Sequence, residues 1–164
     1  RYTDLVIRLN PLVIRLQRSW LSKNGVDFSK MGTIDSLHRE WMYPKNIRQY
    51  DPNLADWLDE KYQGFRPCTL NIIFCNYMVE WIGQAKTDVG MFFQQLARLN
   101  QERNESAHSL NNVTEEEIQK ILGYSSAQLI KKLVALLADI YPEHYREELF
   151  SIYDTVNRRI LEVL

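Results

Sequence analysis

Residues 69–102 read TLNIIFCNYMVEWIGQAKTDVGMFFQQLARLNQE. Leu70, Ile73, Phe74, Tyr77, Met78 and Trp81 recur at intervals of three and four, and after Gly83 so do Val89, Phe92, Phe93, Leu96 and Leu99. That spacing places side chains on one face of a helix. It predicts two helices, over 69–86 and 88–102, each burying an apolar stripe.

The same period extends outward in both directions. In DLVIRLNPLVIRLQRSWL (4–21), Leu5, Leu9, Leu12, Val13, Leu16 and Trp20 form a stripe, with Arg1, Arg8, Arg15 and Arg18 on another face. This is an amphipathic helix with Pro11 as a point of bending. Residues 23–50 mix Gly, Pro, Asn and aromatics without a sustained period, and predict a long irregular connection holding one short helix. DPNLADWLDEKYQGF (51–65) reads as a short helix with Pro52 in its first turn and Gly64 at its end.

Downstream, Thr114 and Glu117 have the capping-box spacing, so a helix is expected to start there. Ser125 and Gln128 open another, whose Leu129, Ile130, Leu133, Val134, Leu136, Leu137 and Ile140 are apolar on nearly all sides; it is expected to be the central helix. After Pro142, a last helix is expected with Leu149, Ile152, Tyr153, Val156, Ile160 and Val163 on one stripe. No strand alternation or internal repeat competes, and the expected fold is an all-α bundle forming one domain over 1–164.

The bulk numbers narrow the function classes. With 164 residues, 45% hydrophobic and 25% charged, the chain can bury a full core without disulfides or metals. No segment reaches the roughly 18 uninterrupted apolar residues of a membrane span, and no signal-peptide pattern opens it, so a soluble cytoplasmic protein is expected. The chain opens RYTDLV without an initiating Met, as a fragment of a longer protein would. Cys68 and Cys75 lack zinc-site spacing and read as reduced core residues. NES at Asn104 and NVT at Asn112 match the glycosylation pattern, but nothing else points to secretion.

A net charge of −1 argues against coating nucleic acid by bulk electrostatics. The charge is uneven: residues 1–50 carry nine Lys/Arg against four Asp/Glu, and the remainder eleven against seventeen. The basic third is either a phosphate-touching surface or simply a solvated basic face.

Several chemistries drop out. GQAKTDVG (83–90) lacks the Gly-Lys-Ser/Thr ending of a phosphate loop and follows no strand. His38, His108 and His144 lie far apart, and no ligand set for a metal or other cofactor is apparent. The EEE of 115–117 is best read as first-turn charge on a helix dipole. Trp41, Trp57, Trp81 and the tyrosines are expected in the core or an interface.

RNESAH (103–108) resists that treatment. If the helix of 88–102 continues, Arg103 falls four residues after Leu99, on the stripe that was packing inward. A buried arginine needs a partner. Asn100, Asn104 and His108, four apart, form a polar column beside it. Two structural accounts remain open: the helix ends near Arg103, or Arg103 pairs with a carboxylate elsewhere in the bundle.

Arg103, Asn104 and His108, set as RNxxAH after a long apolar helix, resemble the Arg, four to six residues, His motif of HEPN-domain ribonucleases. The likeness covers the chain from about Thr69 onward. The domain is most similar to the C-terminal HEPN domain of the CARF–HEPN ribonucleases of type III CRISPR systems. In that family a Rossmann-like sensor domain binds cyclic oligoadenylate and activates the nuclease. No strand–helix alternation is present here, so sensing falls to a domain outside this sequence and is carried by no residue of it.

The resemblance implies a metal-independent endoribonuclease on single-stranded RNA. His108 would move the proton, imidazole being suited to neutral pH. Arg103 would stabilise phosphate charge. Asn104 would orient the phosphate or imidazole, with Asn100 a weaker substrate-binding candidate. Residues five apart on a helix diverge by about 140°, so a homodimer supplying both copies to one cleft is expected, as in HEPN ribonucleases. An inert HEPN-like dimerisation or RNA-binding module, and a helical subunit-interaction domain, are the alternatives.

Overall fold

A computed structural model describes residues 2–109 and 114–143, with side chains for 11–101 and 114–143. The helix expected after Pro142 and the remainder of the chain to 164 lie outside the described residues. The chain forms two compact units, Arg1–Ser126 and Ala127–Leu164.

The first unit is built on three mutually packed helices: α1 (Tyr2–Lys23), α5 (Ile72–Trp81) and α6 (Asp88–Ser109). Between α1 and α5 the chain forms α2 (Phe28–Met31), β1 (Gly32–Ile34), β2 (Glu40–Met42), α3 (Pro44–Tyr50), α4 (Pro52–Lys61) and β3 (Cys68–Thr69); α7 (Glu115–Leu122) packs on α6. The helical class is as the sequence indicates. The irregular connection of 23–50 is not: it holds two short helices and a hairpin, and β3 completes an antiparallel sheet in the order β1-β2-β3. Strands of two or three residues are too short to display a period of two. The pairing of Trp41 with Thr69 joins segments far apart in sequence.

The α1 helix runs through Pro11 and buries Val13, Leu16, Trp20 and Leu21, while Leu12, expected inside, is on the margin of the surface. Gln17 is fully buried among these apolar side chains and donates to Asn76 Oδ1 of α5 at 2.8 Å. Arg18 grips Glu40 of β2 through two hydrogen bonds of 3.0 and 3.1 Å and lies over the Phe28 ring. That pair fastens the hairpin to α1.

The hairpin turn is organised by Asp35. Its carboxylate accepts from the Leu37 and Arg39 backbone N–H groups, the Arg39 guanidinium and the Trp41 indole, at 2.8 to 2.9 Å. The Arg39 amide above all, with the indole and guanidinium, holds that carboxyl down at about 2. His38 takes a left-handed conformation, φ 58°, in this turn.

Asp51 caps α4 by accepting from Asn53 and Leu54, and Gly64, at φ +101°, turns the chain after it. Trp57 of α4 meets Trp81 of α5 at 5.6 Å, and Tyr62 stacks on Tyr77 at 3.8 Å, so the aromatic residues are spent on one another. The expected stripe of α5 is rotated. Ile72, Phe74, Cys75, Met78 and Val79 are buried, Ile73 is exposed, and Thr69 and Leu70 precede the helix, which Asn71 caps. A helix apolar on most sides cannot announce its inner face. Cys75 is buried, which pushes its thiol up to about 12, and Cys68 is half-buried; both are free.

The second unit begins within α8 (Ser126–Ile140), which buries Leu129, Leu133, Leu136 and Ile140 and exposes Ile130. It is a one-stripe amphipathic helix, not apolar on all sides. Val134 and Leu137 flank the stripe half-buried.

Two outcomes follow for stability. A Cβ at Gly90, in the first turn of α6, would overlap the Gln84 carbonyl oxygen, which is backbone. Gly90→Ala should therefore cost about 1–3 kcal/mol, read as a lowered denaturation midpoint. Asp35 is depressed in the folded state, so its contribution is present above the ordinary carboxylate value of about 3.9 and lost as pH falls towards 2. Wild type should be more stable than Asp35→Asn at pH 6, with the gap closing between pH 4 and 2 in denaturant titrations.

Candidate active site

The α6 helix starts cleanly. Thr87 accepts from the Gly90 N–H at 3.1 Å while its hydroxyl donates to the Gln84 carbonyl at 2.7 Å. The glycines of 83–90 thus serve a tight turn into the helix. Phe92, Phe93, Leu96 and Leu99 are buried, and Phe93 meets Trp20 of α1 edge-on at 5.6 Å. On the other side, Gln95 donates to the Leu122 carbonyl at 3.3 Å and accepts from the Tyr124 hydroxyl at 3.0 Å, tying α6 to the end of α7.

The helix does not end near Arg103. Its backbone continues unbroken to Ser109, carrying Arg103, Asn104 and His108 in its last two turns. Eleven residues make about three turns. Arg103 and Asn104 therefore occupy the register positions of Phe92 and Phe93, three turns on. The side chains of 102–109 lie outside the described residues, so a pairing of Arg103 with a carboxylate does too. The backbone alone sets the positions of Arg103 and His108 apart by about 140° around the axis. One helix does not bring them to a common face.

Asn100 is described. It is half-buried, and its Oδ1 is withdrawn from solvent with no hydrogen-bond donor among the described residues.

The other candidates settle into structural roles. Thr114 and Glu117 form the expected capping box, at 2.8 and 3.2 Å. Glu115 accepts from Ser126 N–H at 2.8 Å and from Gln119, and the Ser126 contact holds its carboxyl below the usual range. The acidic run is a helix start. In the basic first third, Arg18, Lys30, Arg39 and Arg48 each pair with carboxylates, namely Glu40, Asp27, Asp35, and Asp56 with Asp59. These are four of the nine cations of that stretch. Among the described residues, no three His, Cys, Asp or Glu side chains gather as a metal ion would need, and no single helix is long and apolar enough to cross a membrane. His144 lies outside them. The buried Gln17–Asn76 pair was not apparent from sequence, since a lone Gln on an amphipathic helix reads as surface.

The family model described as the Cas_Csm6 HEPN domain matches residues 1–161. No curated protein and no solved structure matches. The match spans the hairpin segment as well as the helices around RNESAH, and it extends the likeness to nearly the whole chain. An all-helical core with a long apolar helix running into Arg103-Asn104-Glu105-Ser106-Ala107-His108 agrees with it. The chain belongs to the Cas_Csm6 HEPN domain family, and is a CRISPR-associated HEPN domain of nuclease type.

Proposed function

We propose that this domain is a metal-independent endoribonuclease that cleaves single-stranded RNA at a composite site shared by two copies of the chain, in antiviral defence. The single observation that carries the reading is the unbroken α6 helix through RNESAH. It separates Arg103 from His108 by about 140° on one chain, while a two-fold axis beside the segment would give one cleft two arginines and two histidines. Family membership supports the nuclease chemistry, and because the match runs over 1–161 it supports treating both compact units as one functional domain.

The chemistry follows from the residue types. His108 takes the proton of the RNA 2′-hydroxyl as that oxygen forms a bond to the adjacent phosphorus. The bond from phosphorus to the 5′-oxygen breaks, and the leaving oxygen takes a proton, delivered by the second copy's imidazolium or by water. The products are a 2′,3′-cyclic phosphate and a 5′-hydroxyl. Arg103 stays charged throughout and its planar donor fork stabilises the developing charge on the non-bridging oxygens. Asn104 donates to the phosphate or the imidazole. Asn100 is the weaker substrate-binding candidate. Activation by cyclic oligoadenylate would act through a sensor domain and through none of the residues described.

Cleavage of labelled RNA should persist in EDTA and leave cyclic-phosphate ends. Arg103→Ala and His108→Ala should each lower kcat at least about 100-fold, the scale of a lost proton carrier or charge stabiliser, with helical content and melting unchanged. RNA binding without cleavage in the wild type would instead identify an inert module; neither binding nor cleavage would identify a subunit-interaction domain.

The shared site predicts that specific activity falls on dilution through the dimer dissociation range. Mixing Arg103→Ala with His108→Ala protein should restore part of the activity if one arginine and one histidine from different chains suffice. Full specific activity in a species shown by light scattering to be monomeric would refute the composite site.

A further inference from the structure

A cavity of about 120 Å³ lies between α3, α4 and the segment that follows α4. Ile47 and Ala55 line it from buried positions and Phe65 from a half-buried one. Arg48, which also lines it, is held in place by two carboxylates, Asp56 at 2.8 Å and Asp59 at 3.2 Å. All of these residues belong to the first compact unit, and none comes from the helix that carries RNESAH.

Size and chemistry together narrow the occupant. An engineered apolar cavity of about 150 Å³ takes benzene, whereas drug-sized ligands occupy pockets of about 300–1,000 Å³. One six-membered ring therefore fits, and a fused bicycle does not sit wholly inside. Phe65 offers that ring an aromatic partner. The Asp59 carboxylate accepts from the Phe65 N–H at 3.0 Å through one oxygen and from Arg48 through the other. An ionised carboxylate has about four acceptor sites, so it can take an N–H from the occupant as well. Lys45 lines the cavity too, exposed and with no ion pair among the described residues. Arg66, next in the chain after Phe65, is likewise exposed and unpaired among them.

The combination calls for a single ring that donates an N–H and is joined to an anion. Pyrimidine nucleotides answer to it: cytosine donates through its amino group, uracil through its ring N–H, and both are linked to phosphate. A purine adds a second fused ring that the volume does not hold.

We propose that this cavity seats a pyrimidine base of single-stranded RNA against Phe65 and Asp59, with Lys45 and Arg66 meeting the flanking phosphates. It is a binding site separate from the RNESAH motif, and its occupation does not require that the RNA be cleaved.

The test measures, by fluorescence anisotropy, the binding of labelled oligo(U), oligo(C) and oligo(A) to the full chain carrying His108→Ala, so that the RNA stays intact. Oligo(U) and oligo(C) should bind at least about fivefold tighter than oligo(A), the low end of what one stacked base contributes. Ala55→Leu, which fills the cavity, should erase that difference. Lys45→Gln, at an exposed position, should weaken oligo(U) binding and reduce the slope of log affinity against log salt by about 0.7, the share of one phosphate contact on a single strand. Free UMP should compete with oligo(U) but bind more weakly; UMP binding tighter than oligo(U) would make a free nucleotide the ligand and overturn the RNA assignment. The proposal is also overturned by equal affinities for oligo(U) and oligo(A), by a pyrimidine preference that survives Ala55→Leu, or by a Lys45→Gln protein with unchanged affinity and salt slope. Should Ala55→Leu fail to fold, the oligo(U) to oligo(A) ratio and Lys45→Gln still decide. A pyrimidine preference in a wild type that does not cleave would sink the ribonuclease reading and leave this site standing; cleavage without the preference would do the reverse.

Discussion

The edge-on contact between Trp20 and Phe93, at 5.6 Å, seats α6 against α1. Both side chains are almost wholly buried, and burying rings of that size contributes about 1.5–3 kcal/mol for a phenylalanine-sized group and more for a tryptophan. This is where the motif-bearing helix gains its rigidity. A site carried on a packed helix is held more closely than one on a loop, and the last two turns of α6 inherit the register fixed by Phe92, Phe93, Leu96 and Leu99. Replacing two of those apolar register positions by Arg103 and Asn104 three turns on converts a packing stripe into a polar one without breaking the helix.

Polar ties around that seat act by different physics. The Gln17 to Asn76 hydrogen bond is buried and links α1 to α5, so disrupting it would strand polar atoms in the core. The Arg18–Glu40 pair has two aligned hydrogen bonds but a side chain nearly half open to solvent, which limits its worth to the modest range of surface ion pairs. The Gln95 contacts with Leu122 and Tyr124 set the end of α7 beside α6, while the Glu115 contact ties the start of α7 to Ser126.

Family membership over residues 1–161 shows that the segment before Thr69, whose sequence alone carries little likeness to HEPN ribonucleases, is part of the same domain type. Its hairpin and short helices contribute Phe28, Met31, Met42, Ile47, Leu54 and Leu58 to the buried set. The segment is structural mass as well as connection. Within it Arg18, Lys30, Arg39, Arg48 and Lys61 pair with carboxylates.

The sequence by itself determined the helical class, the helix starts marked by Pro52 and Thr114, the break before α6 and the helical spacing that places Arg103 four residues after Leu99, because all of these depend on contacts within four residues. It left undecided whether α6 stopped at Arg103, since Asn, Glu and Ser there suit a helix or a polar turn equally; the backbone runs on to Ser109. Only tertiary structure revealed the β1-β2-β3 sheet, whose third strand pairs with residues distant in the chain and whose strands are too short to show alternation. It also chose the inner face of α5, where apolar residues on most sides leave the rotation to whatever α1 and α6 offer, and it exposed Ile130 on α8. The orphaned Asn100 oxygen belongs to the same class of fact: a polar residue is visible in sequence, but whether its acceptor is dry and unpaired depends on what packs around it.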